Sequence, residues 1–214
     1  MGNKILCALF AVVVVVGGLF AFGGIETTAS HTVQNDSLPA GETYSGTVVS
    51  GEPSGEGSLT LEDGTTYEGH FKDGMLEGKA NIKFKDAAVI VAEFRDNVVV
   101  GDAQVTDSNE DTFDGPWGKN GPHGEGEIKS PEGWGLKGDF DFGSVKSGTF
   151  TYQDGSKYTG EFKNGVAEGK GTYTDAKGWS YEGQFSKGLR QGEGTLTLAD
   201  GQKISGNWDA DEPK

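Results

Sequence analysis

One three-residue pattern recurs eight times along the chain and constrains its fold more than any other feature. An aromatic or apolar residue is followed two positions later by Gly, with one Ala in its place, and two positions after that by Phe, Trp or Val. The starts lie 23 residues apart, except for one interval of 22 residues. A period held this closely indicates a repeat architecture. The repeat-defining residues are Tyr44, Tyr67, Ile90, Phe113, Leu136, Tyr158, Tyr181 and Ile204 in the first column; Gly46, Gly69, Ala92, Gly115, Gly138, Gly160, Gly183 and Gly206 in the second; and Val48, Phe71, Phe94, Trp117, Phe140, Phe162, Phe185 and Trp208 in the third.

Each repeat also contains a second short segment in which glycine and apolar residues alternate with polar ones, as in Gly194, Leu196 and Leu198. Alternation of this kind predicts β-strands with one buried and one solvated face. Asp-Gly or Asn-Gly pairs between the segments favour tight hairpin turns, so the chain is predicted to form about 15 antiparallel strands over residues 44–208. These pairs are Asp63-Gly64, Asp73-Gly74, Asn120-Gly121, Asp154-Gly155, Asn164-Gly165 and Asp200-Gly201.

The glycines inside the strands stand between two large residues of the same face, as Gly183 does between Tyr181 and Phe185. A glycine within a strand usually marks the close approach of another group. We therefore expect an aromatic ring from the same or the next repeat to lie across the bare backbone. On this interpretation the aromatic columns form the core of the sheet; the alternative is an exposed binding platform.

Three of the repeats are specific enough to resemble a known family. Residues 158–178 read YTGEFKNGVAEGKGTYTDAKG, residues 181–201 read YEGQFSKGLRQGEGTLTLADG, and residues 67–80 read YEGHFKDGMLEGKA. These segments resemble the MORN repeat, and the resemblance covers most of residues 44–208. It implies an all-β fold, an elongated single-layer antiparallel meander of about seven to eight β-hairpin repeats. It also implies scaffolding or partner binding, in some relatives membrane association, and it does not imply catalysis.

The third, fourth and fifth repeats depart from the pattern. Ala92, Asn97 and Ala103 replace glycines in the third repeat, the fourth has an extra residue before Pro122, and the fifth is one residue short. These departures predict that the sheet bends or is interrupted in this region.

The N-terminus carries a different signal. Residues 5–25 contain no charged side chain, Lys4 precedes them, and Glu26 follows. A helix of this length spans about 30 Å, enough to cross a bilayer core. The predicted organisation is a single transmembrane signal-anchor over residues 1–25, a polar linker over 26–43, the repeat array over 44–208, and an acidic tail over 209–214. Because positive charge normally stays cytoplasmic, the repeats are predicted to be extracytoplasmic, in a periplasm or outside the cell. The alternative is a cleaved signal peptide and a secreted protein.

The net charge of the chain limits which kinds of molecule it can bind. The formal net charge is −15, which disfavours nucleic acid and opposes anionic lipid surfaces. The favoured function is a membrane-tethered scaffold that binds a protein partner. The alternatives are a peripheral lipid-binding module and an enzyme of unrecognised type.

The sequence contains no recognisable catalytic set, cofactor motif or metal-spaced cluster. His31, His70 and His123 are far apart in sequence, and the segment Asp107–Asp111 resembles half of a calcium loop but reads better as a solvated loop. Three aromatic residues fall outside the main columns or near turns, namely Trp134, Tyr152 and Trp179. We predict that these three contact a partner.

Overall fold

A computed structural model of the chain describes residues 31–33, 42–118 and 121–214. The chain divides into two compact bodies. Among the described residues, the first body consists of 31–33 and 42–118, and the second body consists of 121–214. The transmembrane segment predicted at residues 5–25 and the turn residue Asn120 lie outside the described residues.

The first body is an antiparallel meander of strands joined by short turns. Strands β2 to β8 pair in chain order, and β1 pairs with the free side of β2. The strands are β1 (His31–Val33), β2 (Thr43–Val49), β3 (Glu52–Thr60), β4 (Thr66–Lys72), β5 (Met75–Lys83), β6 (Val89–Arg95), β7 (Val98–Thr106) and β8 (Thr112–Gly118). The short strand β1 falls inside the predicted linker.

The second body has the same organisation, since β10 to β18 also pair in chain order and antiparallel. Its strands are β9 (Gly121–Pro122), β10 (Gly124–Lys129), β11 (Gly135–Asp141), β12 (Ser144–Thr151), β13 (Lys157–Lys163), β14 (Val166–Thr174), β15 (Ser180–Ser186), β16 (Leu189–Thr197), β17 (Lys203–Asp209) and β18 (Glu212–Pro213). The predicted acidic tail therefore begins at the end of β17 and includes β18.

The all-β antiparallel meander predicted from the repeats is confirmed within each body. Each full repeat supplies two neighbouring strands, for example β13 and β14 or β15 and β16. In the stretches 31–33, 42–118 and 121–214 no helix is long and apolar enough to span a membrane.

Two parallel rows of residues cross the strands on the buried face of the second body. In the row of small residues, glycine pairs with glycine from strand to strand, as in Gly160↔Gly171, Gly171↔Gly183 and Gly183↔Gly194. In the adjacent row the partners are large and apolar, as in Tyr173↔Tyr181. These pairs place the large side chains of the adjacent row beside a strip of bare backbone.

Tyrosine rings fill the space above this strip. The ring of Tyr181 is fully buried, and its hydroxyl donates a hydrogen bond to the carbonyl of Gln184 at 3.2 Å. A Cβ atom added to Gly183 would lie 2.5 Å from that hydroxyl, and one added to Gly194 would also meet the Tyr181 ring. The ring that covers Gly183 therefore comes from the same strand, and Tyr44, Tyr158 and Tyr181 are core residues rather than an open platform.

In β14 the segment Gly169-Lys170-Gly171 contains two glycines, and the first of them is needed for a different reason. In β14 the pairing register shifts just after Gly160↔Gly171, and Gly169 lies in the resulting bulge with φ +68°. Only glycine adopts this conformation at little cost. Thus Gly169 is required by the backbone conformation, whereas Gly171 is required by the Tyr158 ring, which a Cβ at Gly171 would meet.

Alanine replaces glycine in part of the first body without breaking the sheet. The pairs Ala80↔Ala92 and Ala92↔Ala103 continue the small row, and Ile82↔Ile90 and Ile90↔Val105 continue the large one. At Ala92 and Ala103 the first-column residue is Ile90, which carries no ring to cover the backbone, so a methyl group fits in that place. Ala80 lies in the repeat of Tyr67, whose ring is only partly buried. The interruption expected at the third repeat is therefore absent: β5 to β8 pair without a gap.

A candidate protein-interaction surface

The turns that connect successive repeats bring the three predicted contact residues to one edge of the second body. In each turn a backbone amide donates across the loop: Ser130 to the Trp134 carbonyl at 3.0 Å, Tyr152 to Ser156 at 2.8 Å, and Asp175 to Trp179 at 2.8 Å. Trp134, Tyr152 and Trp179 thus occupy closing positions of three consecutive turns. Their backbones are held by hydrogen bonds, so the side chains project from a fixed frame.

The three residues belong to a continuous row of rings. Trp134 stacks on Phe150 with ring centroids 5.8 Å apart, and Phe150 contacts Tyr152 at 4.7 Å. Tyr152 then contacts Tyr173 at 6.0 Å, and Tyr173 contacts Trp179 at 5.1 Å. We refer to Trp134, Phe150, Tyr152, Tyr173 and Trp179 as the aromatic strip.

Burial within the aromatic strip is uneven. Phe150 is 4% exposed and anchors the row in the core, whereas the other four rings are only partly buried. Phe150 and Tyr173 pair with Tyr158 and Tyr181, so the strip borders the buried face at the end nearest the inter-repeat turns. A set of partly exposed rings on a rigid edge has the composition of an interaction surface.

Sequence reasoning missed Phe150 and Tyr173 as members of this surface. Both stand in the second, alternating segment of their repeats, where a buried role was expected. The sequence feature that predicts this neighbourhood is the two-residue spacing between Phe150 and Tyr152, because residues two apart in a strand lie on the same face of the sheet. The contact between Tyr152 and Tyr173 depends on strands from neighbouring repeats and has no local signature.

The charged groups of the same turns flank the strip. Burial raises the pKa of the Tyr152 hydroxyl, and the neighbouring Tyr173 and Asp154 raise it further. Hydrogen bonds from Ser156 lower the pKa of Asp154, so this carboxylate stays ionised beside a protonated phenol. The strip therefore offers hydrogen-bond donors within an aromatic surface that has carboxylates at its margin.

A different surface lies on the opposite, solvated face of the second body. An open groove of about 800 Å³ crosses β14 to β17. It is lined by glycines of the small row and by Lys170, Thr172, Glu182, Gln184, Glu193, Thr195, Ser205 and Asn207. These side chains can form hydrogen bonds, but no large apolar group contributes to the lining.

The histidines are not brought together. His70 lies 3.2 Å from Glu56, His123 lies 3.8 Å from Asp141, and both are exposed. His31 is described only as part of β1. Within the described ranges, no group of three or more His, Cys, Asp or Glu side chains is arranged to hold a metal ion.

The segment that resembles half of a calcium loop closes on itself. One oxygen of the Asp107 carboxylate accepts the amide hydrogens of Asn109 at 2.8 Å and Asp111 at 2.9 Å. Its other oxygen accepts a hydrogen bond from the Asn109 side chain at 3.3 Å. The Asp107 carboxylate therefore stabilises the turn by accepting hydrogen bonds from Asn109 and Asp111.

Comparison with known proteins identifies MORN repeats at four positions of the chain, residues 44–66, 67–86, 158–180 and 181–203. Two of these lie in each body, and all four begin at a first-column tyrosine. MORN repeats of this kind point to a protein-interaction module. No curated protein matches the chain significantly.

Two solved structures are similar in fold. One is the SAS-4 (dCPAP) TCP domain of Drosophila melanogaster in complex with a proline-rich motif of Ana2 (dSTIL), with 15% identity, coverage of 72% of this chain and 85% of that chain, and a TM-score of 0.46. The other is the wild-type TCP10 domain of CPAP from Danio rerio, with 12% identity, coverage of 78% of each chain and a TM-score of 0.46.

Proposed function

We propose that the chain is a membrane-tethered, extracytoplasmic scaffold that binds a protein partner through the aromatic strip. The observation that carries this proposal is the row of partly exposed rings from Trp134 to Trp179, fixed by the turns of three consecutive repeats. The MORN repeats supply the scaffold, and the strip supplies the contact.

Aromatic side chains dominate the energetics of protein interfaces because they bury a large area with few rotatable bonds. In the strip, Trp134 and Trp179 stand at the two ends, and Phe150 holds the row against the core. Little side-chain entropy remains to be lost on binding, since the rings already contact one another. We therefore expect Trp134 and Trp179 to contribute most of the binding free energy.

Charge selects the chemistry of the partner. The chain has a net charge of −15, and Asp154 and Asp175 lie in the turns beside the strip. Complementary charge accelerates association and suppresses wrong partners. The proposed partner surface is therefore apolar at its centre and basic at its margin. The same charge opposes the alternative of a peripheral module on anionic lipid.

The tether rests on residues 5–25, which lack charge and follow Lys4. Attachment to the membrane restricts the scaffold to a layer next to the bilayer, which raises its effective concentration toward partners in the same layer. A weak contact at the strip would then be sufficient for function.

The test is site-specific photo-crosslinking in intact cells. Benzoylphenylalanine in place of Trp179 should crosslink to one or a few proteins, and a second alanine substitution at Trp134 should reduce the yield. The control position is Phe142, which is 67% exposed on the turn between β11 and β12 and lies outside the strip. Equal crosslinking from positions 179 and 142, or none from position 179, would contradict the proposed surface.

A further inference from the structure

The buried face of the second body is left open at its last full strand, β17. Ile204 is 44% exposed, whereas Tyr181, Tyr158 and Leu136 in the same column are at most 2% exposed. A Cβ added to Gly206 would have no atom within 4 Å, although one added to Gly183 would meet three within 2.7 Å. The small row ends at Gly206 and the large row ends at Ile204, and no further strand covers either residue among the described residues.

Only part of the outer side of β17 is paired. Strand β18 pairs with Trp208 and Asp209, and the Lys214 amide donates to the Asn207 carbonyl at 2.8 Å. Backbone groups alternate in direction along a strand, so the amides of Ser205 and Lys203 point to the same outer side as the Asn207 carbonyl. Among the described residues no strand pairs with Lys203–Gly206 on that side.

The repeats themselves show which strand this edge accepts. Where a first-column strand pairs with the second strand of its own repeat, a small residue lies opposite the second column, as in Gly183↔Gly194 and Gly69↔Ala80, and an apolar residue lies opposite the first column, as in Tyr181↔Leu196. The same register recurs at Tyr158 and Tyr44. On β17 this register places a small residue opposite Gly206 and an apolar residue opposite Ile204.

We infer that residues Lys203–Gly206 of β17 form a strand-addition site for an extended segment of a partner protein with the sequence small-x-apolar. Main-chain hydrogen bonds to Lys203 and Ser205 would give affinity, and the apolar residue would cover Ile204. At the alternate positions the partner residues lie opposite Ser205 and Lys203 of β17, so neutral or acidic residues are favoured there.

A second copy of the chain is a poorer occupant. In the described residues, its strands with the small-x-apolar pattern are already paired on both sides, as β14 and β16 are. Two chains of net charge −15 also repel one another. The inference concerns a partner segment and does not depend on the aromatic strip, which lies at the turns.

The test uses a labelled peptide that copies residues 168–177 of this chain, EGKGTYTDAK, and the full-length chain in detergent. Binding is followed by fluorescence anisotropy. Ser205→Pro removes one outward amide without touching the β16 ladder, because edge strands tolerate proline. We expect this variant to bind at least about tenfold more weakly, since a strand pair of four residues depends on each hydrogen bond.

Ser205→Ala is the matched control. It keeps the amide and loses the side-chain hydrogen bond to Thr195 of 2.9 Å, so peptide binding should persist. Unchanged thermal stability of Ser205→Pro would show that the fold survives. Absence of peptide binding to the unmodified chain, or equal binding by Ser205→Pro, would overturn the inference. So would a dimer of the unmodified chain that Ser205→Pro dissociates, because the occupant would then be a second copy.

Discussion

Replacing Gly183 by valine tests the steric relation between tyrosine rings and the small row. The new Cβ would lie 2.5 Å from the Tyr181 hydroxyl, 2.6 Å from the Gly194 Cα and 2.7 Å from the Glu193 carbonyl oxygen. Two of these atoms belong to the backbone of the adjacent strand and cannot turn aside. Either the strands separate or the ring leaves its site.

The magnitude follows from two contributions. Overpacking of a core costs about 1–3 kcal/mol, and loss of the hydrogen bond from Tyr181 to Gln184 costs about 1 kcal/mol more. A valine gains strand propensity and restricts the unfolded chain, which offsets a few tenths of a kcal/mol. The expected loss is therefore about 2–3 kcal/mol, or roughly 10 °C or more in the midpoint of a body of this size.

The chain supplies two matched controls. Gly206→Val makes the same chemical change at the same repeat position, where the structure leaves open space, and should cost less than about 0.5 kcal/mol. Glu182→Val adds the same side chain on the exposed face next to Gly183 and should also be nearly neutral. Urea denaturation followed by tryptophan fluorescence measures all three. Equal destabilisation by Gly183→Val and Gly206→Val would refute the packing argument.

Three further predictions concern other groups. Arg190→Ala should lower the stability of the second body by about 1–3 kcal/mol in urea melts, because the guanidinium lies 4.4 Å from the Trp208 ring and pairs with Asp211 at 3.1 Å; Arg190→Lys should restore only part of the loss. Burial, and then the charge of Glu56, raise the pKa of Tyr44 to about 12. The stabilisation linked to its protonated form is therefore complete below about pH 10 and is lost as pH rises toward 12, so Tyr44→Phe should flatten the alkaline decline in melting temperature. Protease added to intact cells or spheroplasts should digest the repeats, and recovery of the chain solely from cytosol would contradict the membrane topology.

The sequence predicted the fold correctly because apolar and polar residues alternate along each strand, which identifies its buried and its exposed face. Alternation placed Tyr181 and Phe185 on the buried side and Glu182 on the exposed side, as the structure has them. Asn164-Gly165 was correctly read as a tight turn, since both residues have positive φ. At Asp154-Gly155 only the glycine does, and the aspartate instead accepts the amide of Ser156.

Contacts between strands were harder to predict. The bulge after Gly160 shifts the register by two residues, and nothing in the local pattern distinguishes its glycine, Gly169, from Gly171. The bend or interruption predicted for the third to fifth repeats does not occur at Ala92, because its neighbour in the large row is Ile90, which leaves room for a methyl group. The joining of Trp134, Tyr152 and Trp179 into one strip required the pairing of separate repeats, which a single repeat does not encode.

The position of each tyrosine hydroxyl has a consequence for how such an array grows. Tyr181 crowds Gly183 and Gly194, and Tyr158 crowds Gly160 and Gly171. In both cases the ring and the two glycines that accommodate it belong to the same 23-residue segment. The close contact between the tyrosine ring and its two glycines is therefore complete within a single repeat. A gene segment that encodes one repeat can be duplicated or deleted in frame, and these matched residues stay together. The third repeat follows the same logic, because its first-column residue is Ile90, and Ala92 and Ala103 stand in place of the two glycines within that copy alone.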